Sequence, residues 1–566
     1  MARRWTVGPR KGSPKIALAR AARPGGKVKE FGGRVSAAVL SFDPLGGDMG
    51  GLAVDLVYDR VNADPRALAE RLPGGAQGKG ACRTLESGRP ARDFSLLLCS
   101  LSAEEQFALL PEYLDRCGIP ALAADRGERD PLVIAGGMAL RLNPRPILPF
   151  LDAFAPGDAE PVLPPLLDAI RQTSGRGERL DALAAIGGIG VPGRTVAPVR
   201  AVMFDGDRPA ARQVRPGERH GVFMVETGRG CPAGCRFCAV GWAVRPPRFF
   251  SAGAIRQAAA EGIRQGLRIG LVGASLSQYP QLDRLLEELG EDRADLTAAS
   301  LDPAFLCSEP GRVLLGRLAV SGLQTLTLAL ECGSERLRRV IHKSARKEQI
   351  LEAAARAGES GIGHLKLYLM LGLPTEEEED LRAQVELVGD VMSAWLSSQR
   401  RRGRRGRLGI SLNPFVPKPH TPFSHEAMPP LAELRRRIEA QRQRLRALGG
   451  IEVSGLSPRL AQMQCLLNRS DESMARVLLR AGGRWPPPAG LLDELLGDWE
   501  DRVHRPWPDD EPPPWRIVDT GVANAWLAAE RERARRAEPG PPCRPGVCQA
   551  CGACPERAEA LNPGCG

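Results

Sequence analysis

Short apolar runs separated by amphipathic stretches fill the first third of the chain. Between residues 34 and 172 the segments RVSAAVLSF, FSLLLCSLS, PLVIAGG and LDAFAPG read as strands, while EEQFALLPEYLDRCG and PVLPPLLDAIRQ carry apolar residues at helical spacing. This alternation predicts an open, parallel α/β domain over 31–175. The polar, Gly-rich stretch TSGRGERLDALAAIGGIGVPGRT marks a linker over 176–215. Six further apolar segments follow: VFMVETG, LRIGLVGA, LTAASL, LQTLTLAL, HLKLYLMLGLP and LGISLNPF, with helical patterns such as IRQAAAEGIRQG and LDRLLEELG between them. Six strand-helix units predict a partial (β/α)6 barrel over 216–427, short of the eight units of a closed one, with its chemistry at the strand C-terminal ends. Residues 428–535 read as a helical accessory region, Pro- and Trp-rich over 485–515, and 536–566 as a Cys-rich tail. The basic arm 1–30 completes the division.

Composition narrows the class. At 566 residues and 43% hydrophobic, the chain can bury two or three cores. No apolar run reaches the roughly 20 residues of a membrane span, and MARRWTVGPRKGS lacks the apolar stretch of a secretory signal, so a cytoplasmic protein with no membrane partner is expected. Fourteen Cys, eight of them in two tight groups, fit metal ligation in a reducing compartment better than a disulfide framework. The scattered Cys82, Cys99, Cys117, Cys307, Cys332 and Cys465 are expected to be small buried residues or bystanders. The net charge of +11 can attract nucleic acid, but it is carried by 69 Arg against 9 Lys in an Ala-, Gly- and Pro-rich chain, which coding bias also explains. The densest patch, Arg400, Arg401, Arg402, Arg404, Arg405 and Arg407, reads as a nucleic-acid contact or as a solvated loop.

The first Cys group, GRGCPAGCRFCAVGW, spaces Cys231, Cys235 and Cys238 as C-x-x-x-C-x-x-C directly after the first barrel strand. Three thiolates on one loop can hold three corners of an iron-sulfur cubane and leave the fourth iron open to a chelator. Zinc would need a fourth ligand, and His220, the nearest histidine, lies upstream on the far side of a strand. The motif, with aromatic Phe237 before the third Cys, resembles that of the radical S-adenosylmethionine superfamily, and the likeness covers about 218–425. The resemblance implies a 4Fe-4S cluster on Cys231, Cys235 and Cys238, S-adenosylmethionine on its open iron, and a flavodoxin or ferredoxin as electron donor. One electron then splits the sulfonium bond to give a 5′-deoxyadenosyl radical. By position, Gly273, Ala274 and Ser275 stand where a Gly-Gly-Glu type turn holds the methionyl amine, although the Glu is missing here. Ser300 and Glu331 stand at ribose and methionyl contacts, and Gly372 to Pro374 beside the adenine. Each strand-end residue could instead be a structural turn.

FVPKPHTPF (Phe415 to Phe423) resembles a turn of methylthiotransferases and of an uncharacterised group of radical enzymes with a cobalamin-binding domain. ESGRPARDF, ADRGERDPLVIAGG, LYLMLGLPTEEEED, IVDTGV and CRPGVCQACGAC are similar to signatures of that second group, which extends the likeness over nearly the whole chain. The N-terminal domain thus looks like a cobalamin-binding module, with Gly46, Gly47, Ser100, Gly136 and Gly137 as a candidate cradle. Yet FDPLGGDMGGL lacks the His of the usual Asp-x-His-x-x-Gly motif, and no His occurs from Arg34 to Gln172. The alternative is a domain that keeps the fold without the cofactor. In the tail, Cys543, Cys548, Cys551 and Cys554, with Cys565 in reserve, suit a second iron-sulfur cluster or a structural zinc. The function these features imply is methyl or methylthio transfer to RNA or protein. Radical chemistry on a small metabolite over a scaffold domain, or a metal-stabilised binding protein without turnover, are the alternatives.

Overall fold

The computed structural model describes residues 29–42, 50–74, 82–213, 221–298, 300–401, 406–544, 548 and 550–554. Gly46, Gly47, His220, Arg402, Arg404, Arg405, Cys565 and the arm up to residue 28 lie outside these.

Five parallel strands open the fold: β1 (Val35–Ser41), β2 (Ala67–Pro73), β3 (Leu96–Ser100), β4 (Leu132–Gly136) and β5 (Ala153–Ala155), in the order β2-β1-β3-β4-β5. Successive side chains of a strand face opposite sides. Val35, Ala37 and Val39 of β1 therefore pack into one core with the helices Gly50–Ala63 and Ala159–Gln172. Ala38 and Leu40 enter a second core that runs on into the barrel at Val225, Ile269 and Leu367 and into the C-terminal helices at Leu466 and Val477. A sheet covered on both sides needs no polar face, which is why four of its strands read as plain apolar runs. β2 did not, because Glu70 and Arg71 interrupt it. Both are buried and satisfied, Glu70 by the hydroxyls of Thr84 (2.5 Å) and Ser87 (2.6 Å), Arg71 by Glu86 (2.7 Å).

After β6 (Val199–Arg200) and β7 (Ala211–Gln213) come β8 (Val222–Glu226), β9 (Gly228–Arg229), β10 (Arg248–Phe249), β11 (Arg268–Val272), β12 (Leu296–Ala298), β13 (Thr325–Glu331), β14 (His364–Leu371) and β15 (Arg407–Pro414). β8 and β11 to β15 are the six expected barrel strands. β8, β11 and β12 pair in parallel, β13, β14 and β15 likewise, and a parallel bridge between Leu301 and Leu328 joins the two halves. β7 adds an antiparallel edge to β8. Within the stretch read as helical, β16 (Ile451–Ser454) adds a seventh parallel strand beside β15. IEVS alternates apolar with polar, but four residues are too short a run to set apart from the helical stretch around them, and pairing makes them a strand. β17 (Val518–Asp519) returns to pair with β6.

Among the described residues no ladder joins β7 to β16, so the barrel stays open on that side. The N-terminal domain spans the opening. At one edge Asp55 binds Arg212 of β7 (2.8 Å), and Leu52 packs on Met224. On the far side the domain meets the end of the helix Pro458–Arg469 that follows β16: Asn143 donates to the carbonyls of Leu467, Asn468 and Ser470, and Arg145 binds Glu472 (2.7 Å). One expectation is corrected: Cys82 and Cys117 form a disulfide, with Cα atoms 5.1 Å apart, because the loop between β2 and β3 and the residue that caps the helix Leu110–Arg116 meet in the core. Cys99, Cys332 and Cys465 are buried as expected. Among the described residues no helix is long and apolar enough to cross a membrane.

Candidate functional site

The cluster loop is pinched at its base by the β9–β10 ladder, which pairs Gly228 with Phe249 and Arg229 with Arg248. Two glycines shape the loop above this base. Gly230 sits at φ 79°, where a Cβ would lie 2.3 Å from the Val244 carbonyl, and Gly234 at φ 68° turns its carbonyl to accept from His342 Nδ1 at 3.1 Å. Only glycine takes such positions freely. Between them the loop carries Cys231, and after them Cys235 and Cys238.

Neighbouring elements fix the rest of the loop. The Arg236 N–H donates to the Ile341 carbonyl (3.1 Å), and its fully buried guanidinium binds Glu530 (3.1 Å) and the carbonyls of Arg339, Val340 and Glu538. The Cys235 carbonyl accepts both the Cys238 N–H (3.0 Å) and the Trp242 indole N–H (2.9 Å). Phe237 packs among Cys332, Ile341, Leu373, Phe415, Phe423 and Ala534. Phe415 and Phe423 meet edge to face at 5.9 Å, so the FVPKPHTPF segment backs the loop. Its Lys418 reaches Glu104 of the N-terminal domain (2.5 Å).

Electrostatics gather around the three thiols. Burial raises Cys231, against hydrogen bonds from the Ala233 N–H and, more weakly, Ser275, and pushes Cys235 up to about 12, against the nearby Lys343 ammonium. Lys343 donates to the Ala329 carbonyl (3.2 Å) and stands 3.7 Å from Glu331. Burial alone would lower it, but Cys235, Glu331 and Asp302 outweigh that and hold it charged. Burial likewise raises Glu331, with Lys343 opposing. Glu331 also has φ 66°, a conformation that costs a non-glycine residue about 1–3 kcal/mol.

The structure thus brings together Cys231, Cys235, Cys238, Ser275 and Glu331 of the residues read from sequence. Gly273 is required by a close approach, since a Cβ there would lie 2.3 Å from Thr227 Oγ1. Ala274 and Ser300 are exposed at their strand ends. Gly372 holds φ 88° in a turn closed by Glu376, whose carboxylate accepts the Gly372 N–H (2.9 Å), and half-buried Pro374 follows. Burial pushes Glu376 up to about 7. Lys343, Asp302, Arg236 and Trp242 were not singled out from sequence. Arg236 and Trp242 stood inside the motif itself, and Lys343 is one of nine lysines in an arginine-dominated chain, a usable signal.

The donor set fits an iron-sulfur cluster: three soft thiolates on one loop, a lysine to offset their charge, and Ser275 and Glu331 beside them. Among the described residues no three His, Cys, Asp or Glu side chains converge on a single metal-ion position, and a cubane asks for no such convergence, since each thiolate takes a different iron. The N-terminal domain gives a different result. A Cβ on Gly137 (φ 109°) would lie 2.4 Å from the Leu101 carbonyl, one on Gly136 would lie 3.3 Å from that of Ala155, and Ser100 is half-buried. These glycines admit backbone, not a ligand. Beyond them Glu104 binds Lys418 and Gln464, and Asn143 caps the end of the helix Pro458–Arg469. The described ends of β3 and β4 therefore show no corrin cradle.

The tail Cys residues sit against the same loop. Cys551 is buried with Trp242, Val522, Leu527 and Ala553, and its carbonyl accepts the Ala523 N–H (2.9 Å). Burial pushes Cys543 up to about 11, with Cys548, Cys551 and Cys554 adding to it and Arg245 opposing.

Residues 225–388 match the family model of the radical SAM superfamily, and 53–192 that of radical SAM proteins, N-terminal. An uncharacterised protein of Methanocaldococcus jannaschii is 30% identical over 288 residues, half of this chain and 60% of that protein. The cobalamin-dependent S-adenosylmethionine radical enzyme OxsB, solved with aqua-cobalamin and S-adenosylmethionine, is 12% identical with a TM-score of 0.47, over 65% of this chain and 56% of its own. Coproporphyrinogen III oxidase of Escherichia coli is 16% identical with a TM-score of 0.26, over 42% and 62%. The chain thus spans less than two thirds of each of these proteins.

Proposed function

We propose that this protein, whose barrel is a radical S-adenosylmethionine domain holding a 4Fe-4S cluster and S-adenosylmethionine, turns radical chemistry on a small substrate at the barrel mouth, without cobalamin. When bound, cluster and cofactor supply a 5′-deoxyadenosyl radical from one electron. The chain's own residues do the rest. Cys231, Cys235 and Cys238 hold the cluster, and Lys343 offsets the negative charge of the thiolates and of the electron that arrives. Ser275 stands beside Cys231 and Glu331 beside Lys343 and Cys235, within reach of a cofactor on the open iron.

The observation that carries the reading is the placement of the N-terminal domain. It meets the barrel edge at Asp55–Arg212 on one side and the end of the helix after β16 at Arg145–Glu472 on the other, and the described ends of its β3 and β4 face protein. It acts as a wall. A barrel walled on its open side leaves the strand C-terminal mouth as the way in, which suits a small substrate. Methylthio transfer to RNA or protein is the second reading, favoured by the second Cys group beside the first.

The test is anaerobic purification from cobalamin-fed cells, followed by reduction with flavodoxin and S-adenosylmethionine. Corrin-free protein that forms 5′-deoxyadenosine, with Cys235→Ala abolishing it, is expected. Stoichiometric corrin would overturn the scaffold role. A methylthio group on RNA or protein that disappears when the gene is deleted would replace the small-substrate reading with the second.

A further inference from the structure

The segment carrying the tail cysteines is anchored against the cluster loop at Cys551. β17 anchors the segment on β6, and the helix Asn524–Arg535 packs behind the cluster loop. The Ala523 N–H fixes the Cys551 carbonyl, and Gly552 (φ 81°) turns where a Cβ would approach the Gly521 carbonyl at 3.2 Å. One aromatic ring separates the two Cys groups. Trp242 packs on Cys551 with one side and donates its indole N–H to the Cys235 carbonyl. Arg245 stacks on that indole at 3.8 Å and lies beside Cys543.

The chemistry of this donor set can be read by comparison with the first. A zinc ion draws four sulfurs to about 2.3 Å of one point. Neither Cys group shows that convergence, although all seven cysteines are among the described residues. What the groups share is a set of neighbouring, partly buried thiols, and the first is the set assigned to the cubane. The tail has four, so every iron would be ligated and none left open to a chelator. A closed cluster of this kind carries electrons rather than substrate.

We propose that Cys543, Cys548, Cys551 and Cys554 hold a second 4Fe-4S cluster, and that it relays single electrons across Trp242 to the first. An external low-potential one-electron donor of the flavodoxin or ferredoxin class is oxidised by one electron. The second cluster accepts that electron, passes it to the first, and returns to its oxidised state; no proton or atom is transferred. The relay holds whichever substrate the barrel takes.

Metal analysis of the anaerobically reconstituted wild-type chain tests the site. About 8 iron and about 8 sulfide per chain are expected, whereas about 4 iron with about 1 zinc would overturn it. A Cys231→Ala/Cys235→Ala/Cys238→Ala variant should keep half the iron and, once reduced, an electron paramagnetic resonance signal that S-adenosylmethionine leaves unchanged. The relay is tested with Cys543→Ser/Cys548→Ser. Reduction of the first cluster by flavodoxin should slow at least tenfold, while dithionite reduces it at the wild-type rate. Equal rates with both reductants, or equal slowing, would overturn the relay. Should that variant misfold, rapid freeze-quench spectra of the wild type decide: the second cluster must gain its electron before the first. Loss of sulfide from the second cluster with each turnover would instead mark it as a consumed sulfur source and end the relay assignment.

Discussion

Lys343 reaches the thiols from a segment far along the chain from the Cys motif, and only its rarity as a lysine marks it in the sequence. The motif was legible because its spacing alone lets one loop carry three thiolates. Lys343 depends on the fold, which sets the helix Glu335–Val340 and the turn after it against the loop. Its charge has a measurable consequence. Reduction adds a negative charge, which a nearby ammonium favours, so Lys343→Met should lower the midpoint potential of the first cluster by roughly 60 mV, one decade for a one-electron couple. A redox titration followed by electron paramagnetic resonance reads this directly, and an unchanged potential would remove Lys343 from the cluster's surroundings. Gly230→Ala should have the opposite profile. Its Cβ would meet backbone at 2.3 Å, so the loop must shift and iron content should fall while the helical circular dichroism signal persists.

Strands and helices were legible where a period could show. The six barrel strands alternate apolar runs with amphipathic helices over long stretches, whereas β16 is too short and β2 too charged to carry a period. The helix Asn524–Arg535 is polar over much of its surface, and its role follows from one buried pair, Arg236 with Glu530. Removing one partner of a buried pair leaves an uncompensated charge, at about 3–5 kcal/mol. Glu530→Gln should sit at the low end of that range, since three carbonyls still accept from Arg236, and a urea titration measures it. His420, in the segment that backs the loop, gives a pH signature. Burial lowers its pKa from 6.5 to about 4, so it is neutral in the fold and charges more readily when unfolded. The stability it contributes is complete above pH 6.5 and lost as the pH falls through 4. His420→Asn, whose side chain tolerates the φ of 59°, should flatten the fall in unfolding midpoint between those values relative to wild type.

At the scale of the molecule, the sequence divided the chain into a first domain, a barrel and a tail, and the structure ties all three to one loop. The knot is Asp158, at the start of the helix Ala159–Gln172 in the N-terminal domain. It binds Arg248 (2.6 Å), Arg229 (3.3 Å) and Arg141 (3.3 Å), and Arg229 also binds Glu160 and Glu226 at 2.8 Å each. Arg229 and Arg248 are the ladder pair at the base of the cluster loop, so the first domain grips the loop just before Cys231. No periodicity announces such a contact, because it joins residues far apart in sequence whose charges each look solvated. Burial opposes the Asp158 charge, but the three guanidiniums outweigh it and hold the carboxyl well below its usual range. Its contribution to stability is therefore complete above pH 3.8 and lost only as the pH falls below that. Asp158→Asn should cost about 3 kcal/mol by leaving buried guanidiniums short of charge. If the first domain positions the loop, iron per chain should fall with it, and limited proteolysis should cut between the N-terminal domain and the barrel. A lower melting temperature with full iron content would mean that the domain only stabilises the barrel, and that the loop keeps its shape through Gly230, Gly234 and Arg236 alone.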